Sequence, residues 1–172
     1  TEPIWKPSEH FFLKLSAFEK ELSEWIQKSS GWRTNAKNSS LKILEQGLID
    51  RAVTRDTEWG VEIPLPGYEN KRIYVWFEAV CGYLSASIEW AKNQGKESAW
   101  EEFWKNDNSA HYYIHGKDNI IFHTIIWPAM LMALDKNLHL PDYVVSSEYL
   151  TLEGKQFSKS RHWAVWVPEF LK

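Results

Sequence analysis

Two strand-and-turn segments in the C-terminal half constrain the fold of this chain more than any other feature. The first, Tyr113–His123, predicts a buried strand, a turn at Gly116 and a helix whose start carries Asp118. The second follows the predicted strand Tyr143–Leu152 and is a mobile loop of small and cationic residues, Glu153–Arg161. Strands that alternate with helices are typical of a parallel α/β sheet, whose ligands bind at the carboxyl ends of the strands. We therefore expect Gly116, Asp118 and the loop to meet at one edge of such a sheet.

The residue types at this edge fit a nucleoside triphosphate such as ATP. A glycine lets a ligand approach the backbone, an acid can bind ribose hydroxyls, and a cationic loop can bind phosphates. Simpler roles stay open, since Asp118 can cap the following helix and the lysines of the loop can be an ordinary solvated surface. The serines and glycine around Lys155 and Lys159 favour phosphate binding.

Composition excludes several classes of protein. The chain has 172 residues, 44% of them apolar, and eleven tryptophans, which predicts a packed globular chain rather than a disordered one. A net charge of −3 argues against a basic nucleic-acid-binding surface over the whole chain. Cys81 is the one cysteine, which excludes an internal disulfide and a four-cysteine zinc knuckle and fits a reducing compartment such as the cytoplasm. The sequence holds no apolar run of membrane-spanning length, and Thr1–Pro3 shows no signal-peptide pattern.

The first half of the chain predicts helices and a hairpin. A short strand at His10–Leu15 precedes a helix with Ser16 and Glu19 as a capping box, and a second helix runs over Asn35–Gln46. An extended stretch, Ile49–Asp56, then leads to the hairpin. Its arms are Trp59–Ile63 and Arg72–Phe77.

The second half predicts strand–helix units. Ile73–Phe77 is an apolar run typical of a strand covered on both faces, and a helix follows over Ala79–Lys92. Another capping box is predicted at Ser98–Glu101. The helix Asn119–Leu134 is apolar nearly all round, so we expect it to be buried, with a kink at Pro128.

Three motifs give the chain a family resemblance. They are Tyr74–Leu84, then Gly116–Asn119 with Phe122-His123 and Trp127-Pro128, then Gln156–Arg161, which matches the signature KMSKS. With these motifs in this order, the chain resembles methionyl-tRNA synthetase, a class I aminoacyl-tRNA synthetase. The resemblance covers nearly the whole chain and extends weakly through its N-terminal half, including Glu9–Phe12 and Arg55-Asp56.

The resemblance implies a pocket for the methionine side chain. Its six lining residues would be Trp76, Ala79, Tyr83, Phe122, His123 and Trp127. His123 and Trp127 are four apart on one helix and therefore share a face, and aromatic rings make favourable contacts with a thioether sulfur. Without the motifs, each aromatic residue is more simply explained as part of the core. Arg55 would orient an acid, elsewhere in the protein, that holds the substrate amino group.

The resemblance also implies an ATP site, with Mg²⁺ entering as part of the substrate. Gly116 and Asp118 would contact the ribose, with Lys117 nearby. The catalytic residues on the triphosphate would be Ser158, Lys159 and Ser160, in the KMSKS-like loop 156–160. The implied reaction activates methionine with ATP to methionyl adenylate and then transfers it to tRNA(Met).

The implied fold is α/β. Residues 73–172 would be the second half of a Rossmann-like parallel-sheet nucleotide-binding fold, and residues 1–72 would end a connective insertion. The HIGH signature, a zinc knuckle and the anticodon-binding domain are not found in the chain, and no metal site is expected in it. We therefore expect a segment of a longer ligase, inactive on its own, whose partners are methionine, ATP and tRNA(Met) and not a membrane.

Three departures from the family pattern bear on the site. Gln156 replaces the first lysine of the signature, Val80-Cys81 replaces a common Pro-Ile pair, and His162 follows Arg161 where glycine is common. Two alternatives remain: another class I synthetase or nucleotidyltransferase, and a catalytically inactive fragment or interaction module. The aromatic set favours methionine over the first alternative. The presence of Asp118 and Lys159 argues against the second.

Overall fold

The computed structural model describes Trp5 and residues 7–172. The expectation that Thr1–Pro3 is not part of a signal peptide concerns residues outside this range. The α-helices are α1 Glu19–Lys28, α2 Thr34–Glu45, α3 Val75–Asn93, α4 Glu101–Trp104, α5 Trp127–Leu134 and α6 Val167–Phe170. The strands are β1 Phe12–Leu13, β2 Arg51–Ala52, β3 Thr54–Arg55, β4 Arg72–Ile73, β5 Tyr112–Gly116, β6 Tyr143–Ser147, β7 Thr151–Leu152 and β8 Lys155–Gln156. Short 3₁₀ helices cover Leu15–Phe18 and Lys117–Asn119, and a π-helix covers Phe122–Ile126.

The strands β5 and β6 form a parallel pair joined by the buried helix of residues 120–134. Tyr112 pairs with Tyr143, and Gly116 pairs with Ser147, so the carboxyl ends of the two strands lie side by side. A helical crossover is the usual connection between parallel strands. The predicted parallel arrangement is confirmed for this pair, which places Gly116 beside the chain that leads into the cationic loop.

The remaining strand pairs are antiparallel and short. β1 pairs with β2, β3 with β4, and β7 with β8. The predicted hairpin forms only in part, because β4 pairs with β3 instead. Between its arms, the described residues show one bridge from Glu62 to Arg72 and a 2.8 Å hydrogen bond from the Ile73 N–H to the Val61 carbonyl.

The strand predicted at Ile73–Phe77 is wrong beyond Ile73, because α3 already begins at Val75. The buried residues of this helix follow the helical period: Phe77, Val80, Leu84 and Ala91. A short apolar run fits a strand and a turn of buried helix equally well, so periodicity within the run could not separate them.

Both predicted capping boxes are wrong, because their side chains bond to distant parts of the chain or not at all. The Ser16 hydroxyl donates to Asp50 at 2.9 Å, and Glu19 accepts the Leu48 N–H at 2.5 Å. The short helix α4 starts after Trp100 without a side-chain cap. Local capping competes with such tertiary hydrogen bonds, which the sequence does not display.

The helix between β5 and β6 is present but irregular. Asp118 lies in the preceding 3₁₀ turn and makes no capping hydrogen bond, so its predicted role as a cap is wrong. The π-helix of Phe122–Ile126 ends directly before Trp127-Pro128. A proline lacks an N–H and crowds the carbonyl one turn earlier, and a π turn relieves both problems. The irregularity predicted at Pro128 therefore takes the form of a π-helical turn.

Two buried clusters hold these elements together. The first joins α1 and α2 to the buried helix and β6, through residues such as Leu22, Ile26, Ile125 and Val144. The second joins α3, α4, β5 and the buried helix through Val80, Leu84, Trp104, Tyr113, Trp127 and Leu131. The second cluster fixes α3 against β5, and this contact sets the geometry of the candidate site.

Candidate functional site

Aromatic side chains of α3 meet those of the π-helical turn. Trp76 stacks on Phe122 with ring centroids 5.1 Å apart, and Tyr83 lies 5.7 Å from His123. Trp127, one turn further along, lies 6.3 Å from Tyr83. The structure thus brings together five of the six residues expected to line a methionine pocket.

The sixth residue, Ala79, lies on the same face of α3 as Trp76 and Tyr83, because three and four residues separate it from them. Its side chain is exposed. Trp76 and Tyr83 are themselves 43% and 44% exposed, while Trp127 behind them is 2% exposed. We call the cluster of Trp76, Tyr83, Phe122, His123 and Trp127 the aromatic wall; Trp76 and Tyr83 form its half-exposed outer side, and Trp127 forms its buried base.

A hydrogen bond between Tyr83 and His123 joins the two sides of the wall. The His123 Nδ1 lies 2.9 Å from the Asn119 carbonyl oxygen, which assigns the ring proton to Nδ1. The Nε2 atom is then an acceptor, and the Tyr83 hydroxyl donates to it at 2.9 Å. Burial lowers the pKa of His123, the Asn119 hydrogen bond opposes this shift, and charge on His115 adds to it. The site is therefore built around a neutral imidazole.

Two residues of the wall, Tyr113 and His115, were not predicted from the sequence. Trp127 Nε1–H donates to the Tyr113 hydroxyl at 3.0 Å, and the His115 ring stacks on His123 at 4.3 Å. Burial raises the pKa of Tyr113 to about 12. Alternate residues of a strand face the same side, so the period of two along β5 could have identified this pair as facing the helix.

Trp127 also borders an apolar cavity of about 510 Å³. The other lining residues include Cys81, Leu84, Ile88 and Met130. This cavity is an alternative location for an apolar ligand side chain, and it shares only Trp127 with the aromatic wall.

Gly116 and Asp118 are packed against each other at the carboxyl end of β5. A Cβ atom at position 116 would lie 2.7 Å from Asp118 Oδ1, closer than atoms in contact can approach. Asp118 is exposed. A bare backbone beside an available carboxylate is the arrangement that a ribose requires, and Ser147 on β6 lies directly next to it.

Lys117, expected near ATP, is held by other side chains in this structure. Its ammonium group pairs with Glu148 at 2.5 Å and lies 4.6 Å from the centre of the Tyr149 ring. The hydrogen bond to Glu148 raises the pKa of Lys117. The pair links the turn after β5 to the segment after β6.

The KMSKS-like loop is anchored at both ends by short backbone pairings. The β7–β8 hairpin turns through Glu153 and Gly154, both at positive φ, and Ser158 exchanges two backbone hydrogen bonds with Trp163 at 2.9 and 3.0 Å. Inside this frame, the Ser158 and Ser160 hydroxyls lie 3.3 Å apart. Lys159 between them is exposed, and its ammonium group has no hydrogen bond or ion pair within residues 7–172. Lys155 instead lies 5.0 Å from the Trp163 ring.

Arg55 lies on β3, away from the aromatic wall itself. Its guanidinium donates to the carbonyl oxygens of Ala52 and Thr54 at 2.9 and 2.7 Å and covers the Tyr74 ring at 4.0 Å. In the part of the chain that the structure describes, no carboxylate pairs with it. Tyr74 directly precedes α3, so Arg55 is tied to the start of the helix that carries Trp76.

Within Trp5 and residues 7–172, no group of three or more His, Cys, Asp or Glu side chains could hold a metal ion. Over the same residues, none of the helices combines the length and apolar character needed to cross a membrane.

The sequence of this chain is similar to those of known proteins. The family model described as tRNA synthetases class I (M) matches residues 1–172. A Methionine--tRNA ligase of Dehalococcoides mccartyi is 59% identical over 169 residues, covering 98% of this chain and 30% of the relative. One of Chloroflexus aggregans is 52% identical over 187 residues, covering 98% and 31%. The chain therefore spans about 30% of the length of these curated relatives.

Solved structures are similar in fold. A Mycobacterium tuberculosis methionyl-tRNA synthetase in complex with methionyl-adenylate matches with a TM-score of 0.76 at 24% identity, covering 98% of this chain and 31% of that chain. A crystal structure of the same enzyme bound by methionyl-adenylate matches with a TM-score of 0.74, covering 94% and 30%. The predicted α/β fold is confirmed at this level.

Proposed function

This chain belongs to the family of class I tRNA synthetases (M), and on that premise we propose that it supplies the amino-acid and nucleotide site of a methionine–tRNA ligase. The observation that carries the proposal is the aromatic wall, in which Trp76 meets Phe122 and Tyr83 meets His123. The wall lies beside a glycine–aspartate turn at the end of β5. In this proposal, the side chain of the amino acid on the wall would lie next to the ribose held by the turn.

The aromatic wall suits a thioether side chain. Contacts between sulfur and aromatic rings contribute about 0.3–1.5 kcal/mol, and burial of a methionine-sized side chain contributes about 1.5–3 kcal/mol. A neutral His123 keeps charge out of the pocket, since burial lowers its pKa. Ala79, a small and exposed residue, lies between Trp76 and Tyr83 along α3. In this proposal Trp76, Ala79, Tyr83, Phe122, His123 and Trp127 bind methionine.

The turn at Gly116 and the KMSKS-like loop would bind the nucleotide. We assign the ATP ribose to Gly116 and Asp118, and the triphosphate to Ser158, Lys159 and Ser160. Lys117 pairs with Glu148 and Lys155 lies against Trp163, whereas the Lys159 ammonium group has no such partner within residues 7–172. Lys117 would reach the nucleotide only by releasing Glu148.

The proposed reaction requires the protein to position the substrates and to stabilise developing charge. The methionine carboxylate attacks the α-phosphate of ATP, which enters with Mg²⁺, and pyrophosphate leaves. The adenylate then gives its methionyl group to the 3′-terminal adenosine of tRNA(Met). Lys159 would stabilise the negative charge that develops on the phosphates, which requires a donor placed in advance.

The wider assignments belong to the same proposal. Residues 1–72 would end a connective insertion, and residues 73–172 would form the second half of a Rossmann-like fold. Arg55 would orient an acid from the rest of the ligase, and any zinc site would lie there as well. The ligase would act in the cytoplasm, where translation takes place.

A segment exchange tests the function. In a chimaeric ligase, this chain replaces the matching segment of the 59% identical Dehalococcoides mccartyi relative. ATP–pyrophosphate exchange is measured with methionine, leucine, isoleucine and valine. Exchange that depends on methionine and not on the other amino acids supports the proposal. A folded chimaera that prefers another amino acid would show that the aromatic wall is not a methionine pocket.

A further inference from the structure

His115 carries a polar atom that the proposed function leaves unused. Its ring lies face to face with His123, with centroids 4.3 Å apart and planes inclined by 16°. Its Nδ1 lies 2.9 Å from the Gly116 carbonyl oxygen. Its Nε2 is buried without a hydrogen-bond partner within the described residues. A buried polar atom without a partner is costly, so its retention calls for a physical reason.

We propose that His115 is a positioning residue for the amino-acid pocket: by stacking on His123, it fixes the direction of the hydrogen bond between His123 and Tyr83. The proposal rests on the proposed function only for its consequence in methionine binding. The arrangement of protons on the two rings is a property of the chain itself.

The protons on both rings follow from their backbone partners. A carbonyl oxygen can only accept, so Nδ1 of His115 and Nδ1 of His123 each carry a proton, donated to Gly116 and Asn119 respectively. Both Nε2 atoms are then acceptors. Only that of His123 receives a donor, the Tyr83 hydroxyl.

Stacking makes this arrangement self-consistent. A second positive charge 4.3 Å from a first is unfavourable, so the two rings resist being protonated at the same time. If His123 did gain a proton on Nε2, it would donate to Tyr83 and reverse the hydrogen bond. The Tyr83 hydroxyl proton would then turn away from His123. While His123 is neutral, the Tyr83 hydroxyl donates to it and offers its lone pairs to the pocket, and His115 adds to burial in keeping His123 neutral.

The titratable groups in contact with His123 come from two elements. Tyr83 faces it from α3, and Tyr113 and His115 face it from β5. Tyr113 stays neutral because burial raises its pKa to about 12. No carboxylate within the described residues forms an ion pair with His123. His115 is therefore the stacked neighbour whose charge would act directly on His123, and it adds to the lowering of the His123 pKa.

The test is an imidazole ¹⁵N NMR titration of the 172-residue chain. In the unmodified chain, we expect neutral His123 to carry its proton on Nδ1, with a titration midpoint below that of a free histidine. His115→Phe keeps an aromatic ring in the stack and removes the charge, so the His123 midpoint should move upward. Tyr112→Phe is the matched control, because Tyr112 lies on the exposed face of the same strand, and it should leave the midpoint unchanged.

Two results would overturn the proposal. One is a neutral His123 with its proton on Nε2, and the other is an unchanged midpoint in folded His115→Phe, as a merely structural role for His115 predicts. If His115→Phe does not fold, the titration curves of the two histidines in the unmodified chain still test the proposal. Coupled rings give broadened curves that depend on each other, whereas two independent one-site curves refute the coupling. None of these results depends on methionine activation, so failure of the proposed function would be seen separately.

Discussion

The Tyr83 hydroxyl and His123 Nε2, 2.9 Å apart, connect α3 to the π-helical turn across the aromatic wall. The two residues are forty positions apart in the sequence, and the bond forms because the π turn lies directly against α3. His123 is 6% exposed while Tyr83 is 44% exposed. The buried His123 imidazole thus holds the half-exposed Tyr83 ring in place, so the aromatic wall is preorganised before a ligand binds.

His123→Ala in the chimaeric ligase should raise the methionine KM and leave the ATP KM nearly unchanged. The variant removes the acceptor of the Tyr83 hydroxyl, and loss of such a buried partner costs about 1–3 kcal/mol, or roughly 5- to 160-fold in KM. Steady-state pyrophosphate exchange with each substrate varied in turn measures this. A raised ATP KM with normal methionine affinity would mean that His123 lies on the nucleotide side.

Gly116→Ala should weaken ATP binding with little effect on methionine binding. The added Cβ would lie 2.7 Å from Asp118 Oδ1 and push the carboxylate away from its place beside the backbone. Gly82→Ala is the matched control, because a Cβ there meets nothing within 4 Å. Nucleotide binding to both chimaeric variants can be measured by calorimetry. Equal ATP affinity in the two variants would remove Gly116 from the ribose site.

Lys159→Ala should slow adenylate formation much more than it weakens methionine binding. Loss of one charge-assisted donor at a developing charge costs about 3–4 kcal/mol, or 10²–10³ in rate. Lys155→Ala is the control, because Lys155 lies against Trp163. A pre-steady-state burst in the chimaeric ligase reports the chemical step directly. An activation rate unaffected by Lys159→Ala would refute the assignment of the loop.

Stability should fall in acid through the buried Lys71 and its partner Asp56. Lys71 is 7% exposed and pairs with Asp56 at 2.7 Å. Hydrogen bonds from Lys71 and then Ser8 lower the pKa of Asp56 to about 2. Because the folded-state pKa lies below the unfolded value of about 4, this pair stabilises the fold above about pH 4. Its contribution is lost as the pH falls from about 4 towards about 2.

Denaturant unfolding of the 172-residue chain as a function of pH measures this effect. Asp56→Asn should lower stability at neutral pH and flatten the acid dependence in that window. Glu62→Gln, which removes an exposed partner of Arg72 at 3.6 Å, should do neither. An acid dependence that is the same in Asp56→Asn and the unmodified chain would show that other carboxylates control it.

The parts of the site that follow local rules could be predicted from the sequence. Strand β5, the Gly116 turn and the buried helix show in the order of apolar residues, a glycine and an acid. The face shared by His123 and Trp127 follows from their spacing of four. These signals sufficed to place the Gly116 turn and the helix that carries His123 and Trp127, whereas Trp76 was predicted on a strand and lies on α3.

The parts that depend on tertiary contacts could not be predicted. Ser16 and Glu19 form no capping box because Asp50 and the Leu48 N–H are nearer partners in space. The ion pair between Lys117 and Glu148 forms because the parallel pairing of β5 and β6 brings the segments after the two strands together. The start of α3 at Val75 could not be located because the run Ile73–Phe77 is apolar throughout and fits a strand and a helix equally well.

The most direct test of the methionine pocket is an isotope-edited NOE measurement on the chimaeric ligase with methionine labelled at its ¹³C-methyl group. We expect cross-peaks from the methyl protons to the rings of Trp76, Tyr83, Phe122 and His123. Cross-peaks to Leu84, Ile88 and Met130 would instead place the side chain in the apolar cavity beside Trp127, and they would show that the aromatic wall does not bind it.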